Sequence, residues 1–542
     1  MRNSKHRRLY NPRMTKTLFK AGLLALWLWL PSLAVLATDH LQSAADVLAL
    51  FCFSVFVLAW PFILLPRPRY AFLLLTPLAL LAGPYCFLTF FYHSVPGDAL
   101  VLSAWQSSWA QTREVLASFG WLLWLVPAST LAYAALAWSL PHTWRLPWPG
   151  RQRAMAGLLM FAMLAFTGRT FLSQRLSLPP FFEYSTASLA FPSNLVLSSS
   201  RVASQAARRV DFASIGGTYQ DDGAPALVVF VIGESLRVDH LGLNGYPRDT
   251  TPGLAALGPE LLSFRDVVSN ANWTGKAMPT MVSLPLGGKR ASLVQTFHEA
   301  GYRTAWFSNQ EADDISRMAD VAEHASSSQD FHMRTDAMLL PLFESFLRQA
   351  GPRQFVVLHT IGSHIYYDER YGADSRKFAP TLSDLGLNMP RPRDKQAAIN
   401  SYDNTVVETD KLLVRIIDIL RKEQRPSVML FASDHGENLF DDERGFFMHT
   451  QSPPTRYDLR VPVLAWMNQA YLQRFPERAA GLRANLNRPI GNTNVFPTLL
   501  DLGSVGWEGA DPRRSFARHE FEAGKRMVHT SLKGMIDFES VK

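Results

Sequence analysis

Ala226–Ser235 reads ALVVFVIGES, seven apolar residues running unbroken into Gly-Glu-Ser. A short apolar run closed by glycine and an acid reads as a buried parallel strand that carries a carboxylate to a sheet edge. Open α/β sheets bind ligands beyond the carboxyl ends of their strands, where Glu234 falls. A simpler role is capping the helix that follows, since acids favour helix N-termini. A site is the better reading because a second run, Ser427–Ser433 (SVMLFAS), ends the same way, in Asp434-His435-Gly436-Glu437. A carboxylate and an imidazole on one loop suit zinc. Glu234, Asp434 and His435 leave a tetrahedral ion one ligand short.

Apolar residues make up 48% of the 542, and they crowd into the first third. The formal net charge is +8, with the basic residues concentrated in the N-terminal segment and in loops between apolar runs. That distribution speaks for membrane orientation rather than nucleic-acid binding, and no zinc finger or RNP-like signature is present. No nucleic-acid partner is expected. The two cysteines, Cys52 and Cys86, both fall inside apolar runs. The later part of the chain therefore has no disulfide framework, and its compartment has to come from topology.

Five apolar runs approach the roughly 20 residues needed to cross a bilayer. They are Ala21–Ala37, Ala44–Leu65, Tyr70–Tyr92, Ser118–Leu140 and Met155–Phe171. The first follows a basic segment but is long for a signal peptide, so it reads as an uncleaved span. Arg67 and Arg69 lie between the second and third runs, and Arg145, Arg151 and Arg153 between the fourth and fifth. With the basic loops and N-terminus in the cytoplasm, five spans place the rest of the chain on the opposite face, the periplasm of an enveloped bacterium. The loop His93–Glu114, with Trp105 and Trp109 among polar residues, suits an interfacial connector. Residues 1–171 are thus expected to form a five-helix transmembrane domain, and 172–222 a linker of short helices along the membrane.

From residue 223 onward, strand and helix patterns alternate. Strand candidates are Leu227–Ile232, Thr304–Ser308, Phe355–His359, Val428–Ala432 and Val461–Trp466; helix candidates are Leu293–Ala300, Ala337–Gln349 and Ala397–Leu420. Alternation of this kind predicts an α/β domain with a mostly parallel sheet covered on both faces. Asn270–Pro285 offers hydroxyls at Thr274 and Thr280, and a nucleophile at a helix start gains from the positive dipole end. Thr274 sits at such a start and Thr280 lies further in. Thr274 is the better candidate, with a plain N-cap as the alternative. Lys276 and Asn309 are placed to contact phosphate, His359 sits inside a strand end, and Asp441-Asp-Glu443 reads as a solvated loop.

Beyond VVFVIGES, the chain carries Leu243-Asn-Gly-Tyr-Pro-Arg-Asp-Thr-Thr-Pro252, Trp306-Phe-Ser-Asn-Gln310, Leu358-His-Thr-Ile-Gly-Ser-His364, Tyr402-Asp-Asn404, Ser433-Asp-His-Gly-Glu437 and Asn494-Val-Phe-Pro-Thr-Leu-Leu500. The combination resembles the bacterial phosphoethanolamine transferases, lipopolysaccharide-modifying inner-membrane enzymes of the alkaline phosphatase and sulfatase superfamily. The matches span about 225 to 500, and five preceding spans fit that architecture. The resemblance implies a sulfatase-like periplasmic domain over 223–542 that binds Zn2+ through Glu234, Thr274, Asp434 and His435, with Thr274 as nucleophile. It implies that His364 and His449 handle the phosphoryl group, the acceptor or a second metal. The implied reaction moves phosphoethanolamine from phosphatidylethanolamine, through a threonine-linked intermediate, to a lipopolysaccharide core sugar, core phosphate or lipid A. Two features depart from many members. Asn272-Trp-Thr replaces Cys-Gly-Thr in a domain without cysteine, and Ile-Tyr-Tyr follows Gly-Ser-His, closer to the core-modifying branch. A phosphoglycerol transferase would share nearly all these ligands. A sulfatase would show a Cys/Ser-x-Pro-x-Arg segment, which is not found here.

Overall fold

The computed structural model describes residues 12–36, 38, 44–93, 95–106, 120–173, 189–207, 211–223, 226–310, 313–324, 335–349, 351–451, 453–530 and 534–541. The chain divides near residue 208 into two compact units.

The first unit is helical. Its helices are α1 (Pro12–Val35), α2 (Ala44–Leu64), α3 (Pro68–Leu74), α4 (Thr76–Tyr92), α5 (Asp98–Gln106), α6 (Leu122–Trp138), α7 (Gly150–Ser173) and α8 (Ser193–Ala207). A helix lies in each of the five apolar runs. Among the described residues, Met14–Val35 and Ala44–Leu64 are long and apolar enough to cross a membrane, and a third span results if the bent pair α3–α4 counts as one. That pair turns by 53° at Leu75. The α6 helix is apolar but has 17 residues, which reach about 25 Å against a hydrocarbon core of about 30 Å. Residues 107–119, with the end of the interfacial connector and the start of the fourth run, lie outside the described set, as do 174–188 of the linker. The linker's basic residue Arg201 is not presented to a membrane surface. It is buried, with Nε 2.8 Å from Asp98 Oδ1 and NH2 donating to Ser198 Oγ at 3.2 Å. A buried charge is tolerated only when it is paired in this way.

The second unit is built on one eight-stranded sheet. Its strands are β1 (Ala226–Gly233), β2 (Leu261–Val268), β3 (Arg303–Ser308), β4 (Val321–His324), β5 (Arg353–His359), β6 (Ser427–Ser433), β7 (Arg460–Met467) and β8 (Ile490–Gly491), in spatial order β8-β2-β7-β6-β1-β5-β3-β4. The five strand candidates are all present. The sheet is mixed, because β7 runs antiparallel to both β6 and β2 while the other pairings are parallel. Two short antiparallel segments after helix α9 (Thr274–Val282), Ser283–Leu286 and Lys289–Ser292, form a separate hairpin. The remaining principal helices are α10 (Leu293–Glu299), α11 (Leu339–Leu347) and α12 (Lys395–Arg421).

Every residue of β1 is buried. Val228, Phe230 and Ile232 share a core with Met278 and Met281 of α9 and with Val294 and Phe297 of α10. Phe297 stacks on Phe355 of β5 with centroids 3.9 Å apart. Each such side chain contributes about 1.5–3 kcal/mol, which holds the strand ends rigid enough to keep acids away from water. Register does the rest. Ile232 pairs with His359 and with Ala432, and Gly233 with Ser433. The three central strands therefore end level, and Glu234 and Asp434 emerge side by side.

Candidate metal centre

Glu234, Asp434 and His435 are each fully buried, and one ligand atom from each lies within 4.8 Å of the others. His435 Nε2 is 3.2 Å from Glu234 Oε1 and 3.5 Å from Asp434 Oδ2. His435 Nδ1 lies 2.8 Å from the Gly436 carbonyl, which can only accept, so Nδ1 keeps its proton and Nε2, facing the carboxylates, is the nitrogen that gives up its proton when a metal binds. Asp434 Oδ1 accepts from the Ser235 and His435 amides at 3.2 and 2.7 Å. Its Oδ2 has no hydrogen-bond partner among the described residues. A buried carboxylate oxygen without a donor is costly unless a cation faces it.

Thr274 completes the group. It is the first residue of α9, after extended Trp273. Its hydroxyl donates to Glu234 Oε2 at 2.9 Å and lies 3.2 Å from His435 Nε2. Thr280 does not reach the site: its hydroxyl donates to the Lys276 carbonyl and accepts from Asn270 Nδ2, both at 2.9 Å. Two carboxylates, one imidazole and one hydroxyl, all hard or borderline donors around one point, fit a divalent ion such as zinc.

Charge in the cluster is unevenly shared. Burial alone would raise Glu234, but His435, His364 and His449 hold it well below the usual carboxylate range. Burial and the charge of Glu234 push Asp434 up to about 8. Burial alone would lower His435, yet Asp434 and Glu234 carry it up to about 10. The site thus gathers negative charge that the protein offsets with a single ring.

His449 and His364 flank this cluster. The His449 ring centroid is 4.3 Å from that of His435 and 6.3 Å from that of His364. His449 Nδ1 sits 3.3 Å from both carboxylate oxygens of buried Glu437. Burial pushes His364 down to about 4 and His449 to about 3, so both rings are neutral at pH 7. Met448 and Thr450, on either side of His449, have φ of 69° and 74°. Left-handed backbone at two non-glycine residues is strain, and its position marks where His449 has been aimed.

Some contributors were not read from the sequence. Gln310 Nε2 donates to Glu234 Oε2 at 3.0 Å and to the Thr360 carbonyl at 2.9 Å. The last residue of the Trp306–Gln310 match was the signal for it. Tyr402 donates to the Ser235 carbonyl at 2.7 Å and so ties α12 to the turn after Glu234. Asn309 is committed elsewhere, its amide bonding Asp336 Oδ1 at 2.7 Å. His359 is buried on Trp306 and 3.3 Å from Ser308 Oγ, outside the cluster. Asp441 is not solvated, since it holds the buried Arg237 guanidinium at 2.7 Å.

Gly362 is confined by its neighbours. Its φ is +49°, and a Cβ there would lie 2.8 Å from the Glu234 carbonyl and 3.0 Å from its amide nitrogen. Gly362→Ala is expected to lower stability by about 2–4 kcal/mol, adding left-handed strain to a backbone clash. Because the clash is with Glu234 itself, metal affinity should fall by at least the roughly 10–100-fold typical of disturbed supporting groups. Thermal unfolding and metal competition on the same sample check both.

The mixed α/β sheet and the acid-bearing strand ends define a hydrolase- or transferase-type domain. Residues 226–505 match the Sulfatase family model, just over half of the chain, and the chain belongs to that family. Among curated relatives, "Phosphoethanolamine transferase EptC" of Escherichia coli K12 is 26% identical over 340 residues, 58% of each chain. "Phosphoethanolamine transferase EptA" of Salmonella typhimurium is 30% identical over 301 residues, 52% of this chain and 53% of the relative. The chain spans little more than half the length of the curated relatives it matches. In fold, it is similar to an integral membrane lipooligosaccharide phosphoethanolamine transferase A from Neisseria meningitidis. The TM-score is 0.70 at 21% identity, over 91% of this chain and 98% of the other. It is also similar to the periplasmic domain of EptC from Escherichia coli, solved in complex with Zn, with TM-score 0.56 and 24% identity over 61% and 97%.

Proposed function

We propose that this chain is a zinc-dependent phosphoethanolamine transferase of a bacterial inner membrane. In this reading five helices span the bilayer, 172–222 is the linker, and 223–542 faces the periplasm. The donor is phosphatidylethanolamine and the acceptor is lipopolysaccharide, at a core sugar, a core phosphate or lipid A. The observation that carries the reading is the Thr274 hydroxyl at a helix start, 2.9 Å from Glu234 and 3.2 Å from His435. The names of the curated relatives support the group transferred.

Glu234, Thr274, Asp434 and His435 would hold the ion. Zinc, when bound, supplies Lewis acidity, which favours an ionised hydroxyl near neutral pH and withdraws charge from phosphoryl oxygens. The Thr274 oxygen attacks the donor phosphorus. The bond from phosphorus to the glycerol oxygen breaks, and that oxygen leaves, protonated, as diacylglycerol. Phosphoethanolamine remains on Thr274. An acceptor hydroxyl or phosphate oxygen then attacks, and the Thr274 oxygen departs. His364 and His449, both neutral at pH 7, serve to take the proton that Thr274 gives up and pass it to the leaving glycerol oxygen, then to take the acceptor's proton and return it to the departing Thr274 oxygen. The α9 dipole favours the phosphoryl charge at its N-terminus.

The test is intact-mass analysis of the full chain in detergent, incubated with zinc and phosphatidylethanolamine. The expected result is a phosphoethanolamine-sized adduct that disappears when acceptor is added. An adduct formed only from a phosphoglycerol lipid would replace the donor, and cleavage of the donor with no adduct would point to hydrolysis.

A further inference from the structure

We propose that Asp458 is a positioning residue that locks the Thr274 segment to the His449 loop. The proposal rests on the reading of Thr274 as nucleophile and adds the device that sets its position. Asp458 is fully buried. Its Oδ2 accepts from Asn272 Nδ2 at 2.7 Å and from Asn438 Nδ2 at 3.2 Å. Asn272 stands two residues before Thr274, and Asn438 three residues after His435. Both amides reach onward to the loop that holds His449. Asn438 Nδ2 donates to the Met448 carbonyl at 2.7 Å, Asn272 Nδ2 to the Gln451 carbonyl at 2.9 Å, and the Thr450 amide donates to the Asn272 carbonyl at 3.1 Å. One carboxylate oxygen thus ties the segments before Thr274 and after His435 to each other.

A local role is also present. Asp458 Oδ1 accepts from the Thr455 amide at 2.9 Å and closes a capping box on the four-residue helix Arg456–Leu459. That task uses Oδ1 and leaves Oδ2 to the clamp. The backbone cooperates: the Gly436 amide donates to the Asp458 carbonyl at 2.9 Å, and a Cβ on Gly436 would lie 2.3 Å from the Tyr457 carbonyl. The clamp also opposes the strain at Met448 and Thr450, whose left-handed backbones are held by the bonds that Asn438 and Asn272 make. Both arms end on the one oxygen, so an asparagine that turns its amide nitrogen toward the Thr455 amide keeps both, whereas alanine removes both.

The experiment compares the full chain with its Asp458→Ala, Asn272→Ala and double variants, zinc-saturated in detergent. Amide exchange is read over 270–276, 447–451 and, as an internal reference, 226–233. The expected result is that 270–276 and 447–451 both exchange about tenfold faster in Asp458→Ala while the reference strand is unchanged. In transfer assays kcat falls about 10–100-fold with the donor KM within about threefold, and the double variant is no worse than Asp458→Ala. Exchange that rises only over 455–459 would reduce Asp458 to a helix cap and overturn the proposal, as would kinetic losses that multiply in the double variant. If Asp458→Ala does not fold, Asn272→Ala removes one arm alone, and unchanged exchange over 447–451 in it also overturns the clamp. A parent chain with no transfer at all sinks the proposed function, while the exchange data still decide whether the two segments are joined.

Discussion

Thr274→Ala is expected to abolish the covalent adduct and to lower kcat by about 10³-fold or more, with zinc still expected to bind through Glu234, Asp434 and His435. The size of the effect follows from the chemistry. A methyl group offers no lone pair to phosphorus, and Thr280, the other hydroxyl of α9, is already bonded to the Lys276 carbonyl and Asn270. The fold itself should survive. Thr274 is half-buried at the first position of its helix, and replacing an exposed or half-exposed helix-start residue by alanine costs about 1 kcal/mol or less. Thr274→Ser keeps the nucleophile but loses the methyl that fixes the rotamer, so a loss of about tenfold is expected. Steady-state kinetics on the three proteins at saturating zinc give the ranking. Full turnover in Thr274→Ala would remove Thr274 from the reaction and return it to the role of a helix-start threonine.

Strand ends were legible because an apolar run is a strong signal and an acid or histidine at its end is an exception that has to be explained. Glu234, Asp434 and His435 were found in that way, and the two runs proved to be neighbours in exact register. Strand direction was not legible. The apolar pattern of Arg460–Met467 is the same whichever way the strand runs, and β7 turned out antiparallel to β6. Leu261–Val268 was passed over because Ser263, Arg265 and Asp266 interrupt it, and in the sheet those positions are the exposed or half-exposed ones. Val321–His324 escaped for a similar reason, as a short strand at the sheet edge with half-exposed and exposed residues. Gln310, Tyr402 and Asp458 act through hydrogen bonds to residues 76, 167 and 186 positions away. No local spacing encodes a bond of that range. The Asp441 misreading has the same origin, since its partner Arg237 lies 204 positions away. Hydropathy located five apolar runs that each hold a helix, yet among the described residues length and composition alone pass only two or three as spans.

Asp434→Asn is expected to have opposite effects on stability with and without metal, and that reversal is the sharpest test of the metal centre. In zinc the variant loses an anionic ligand. Its affinity should fall by more than the roughly 10–100-fold typical of second-layer changes, and activity should fall by about 10³-fold with it. Saturating metal stabilises the parent by about 4 kcal/mol at a thousandfold excess over Kd, and the variant forfeits most of this. In chelator the comparison reverses. Glu234 and Asp434 are then two buried carboxylates facing one imidazole, with Asp434 Oδ2 unpartnered. Asp434, raised to about 8, has to take up a proton on folding at neutral pH, a cost that asparagine avoids, and replacing a poorly compensated buried acid by a neutral group of the same shape typically stabilises by about 1–4 kcal/mol. Asp434 Oδ1 accepts from two backbone amides, and the amide oxygen of asparagine can accept from both, so the backbone around the site need not move. The variant should therefore unfold at a lower temperature than the parent in zinc and at a higher one in chelator. Equal destabilisation in both conditions would make Asp434 a structural carboxylate that happens to lie beside Glu234. A crossing of the two melting curves requires a site built to be occupied, one in which the strand ends hold charge that the folded protein alone does not balance.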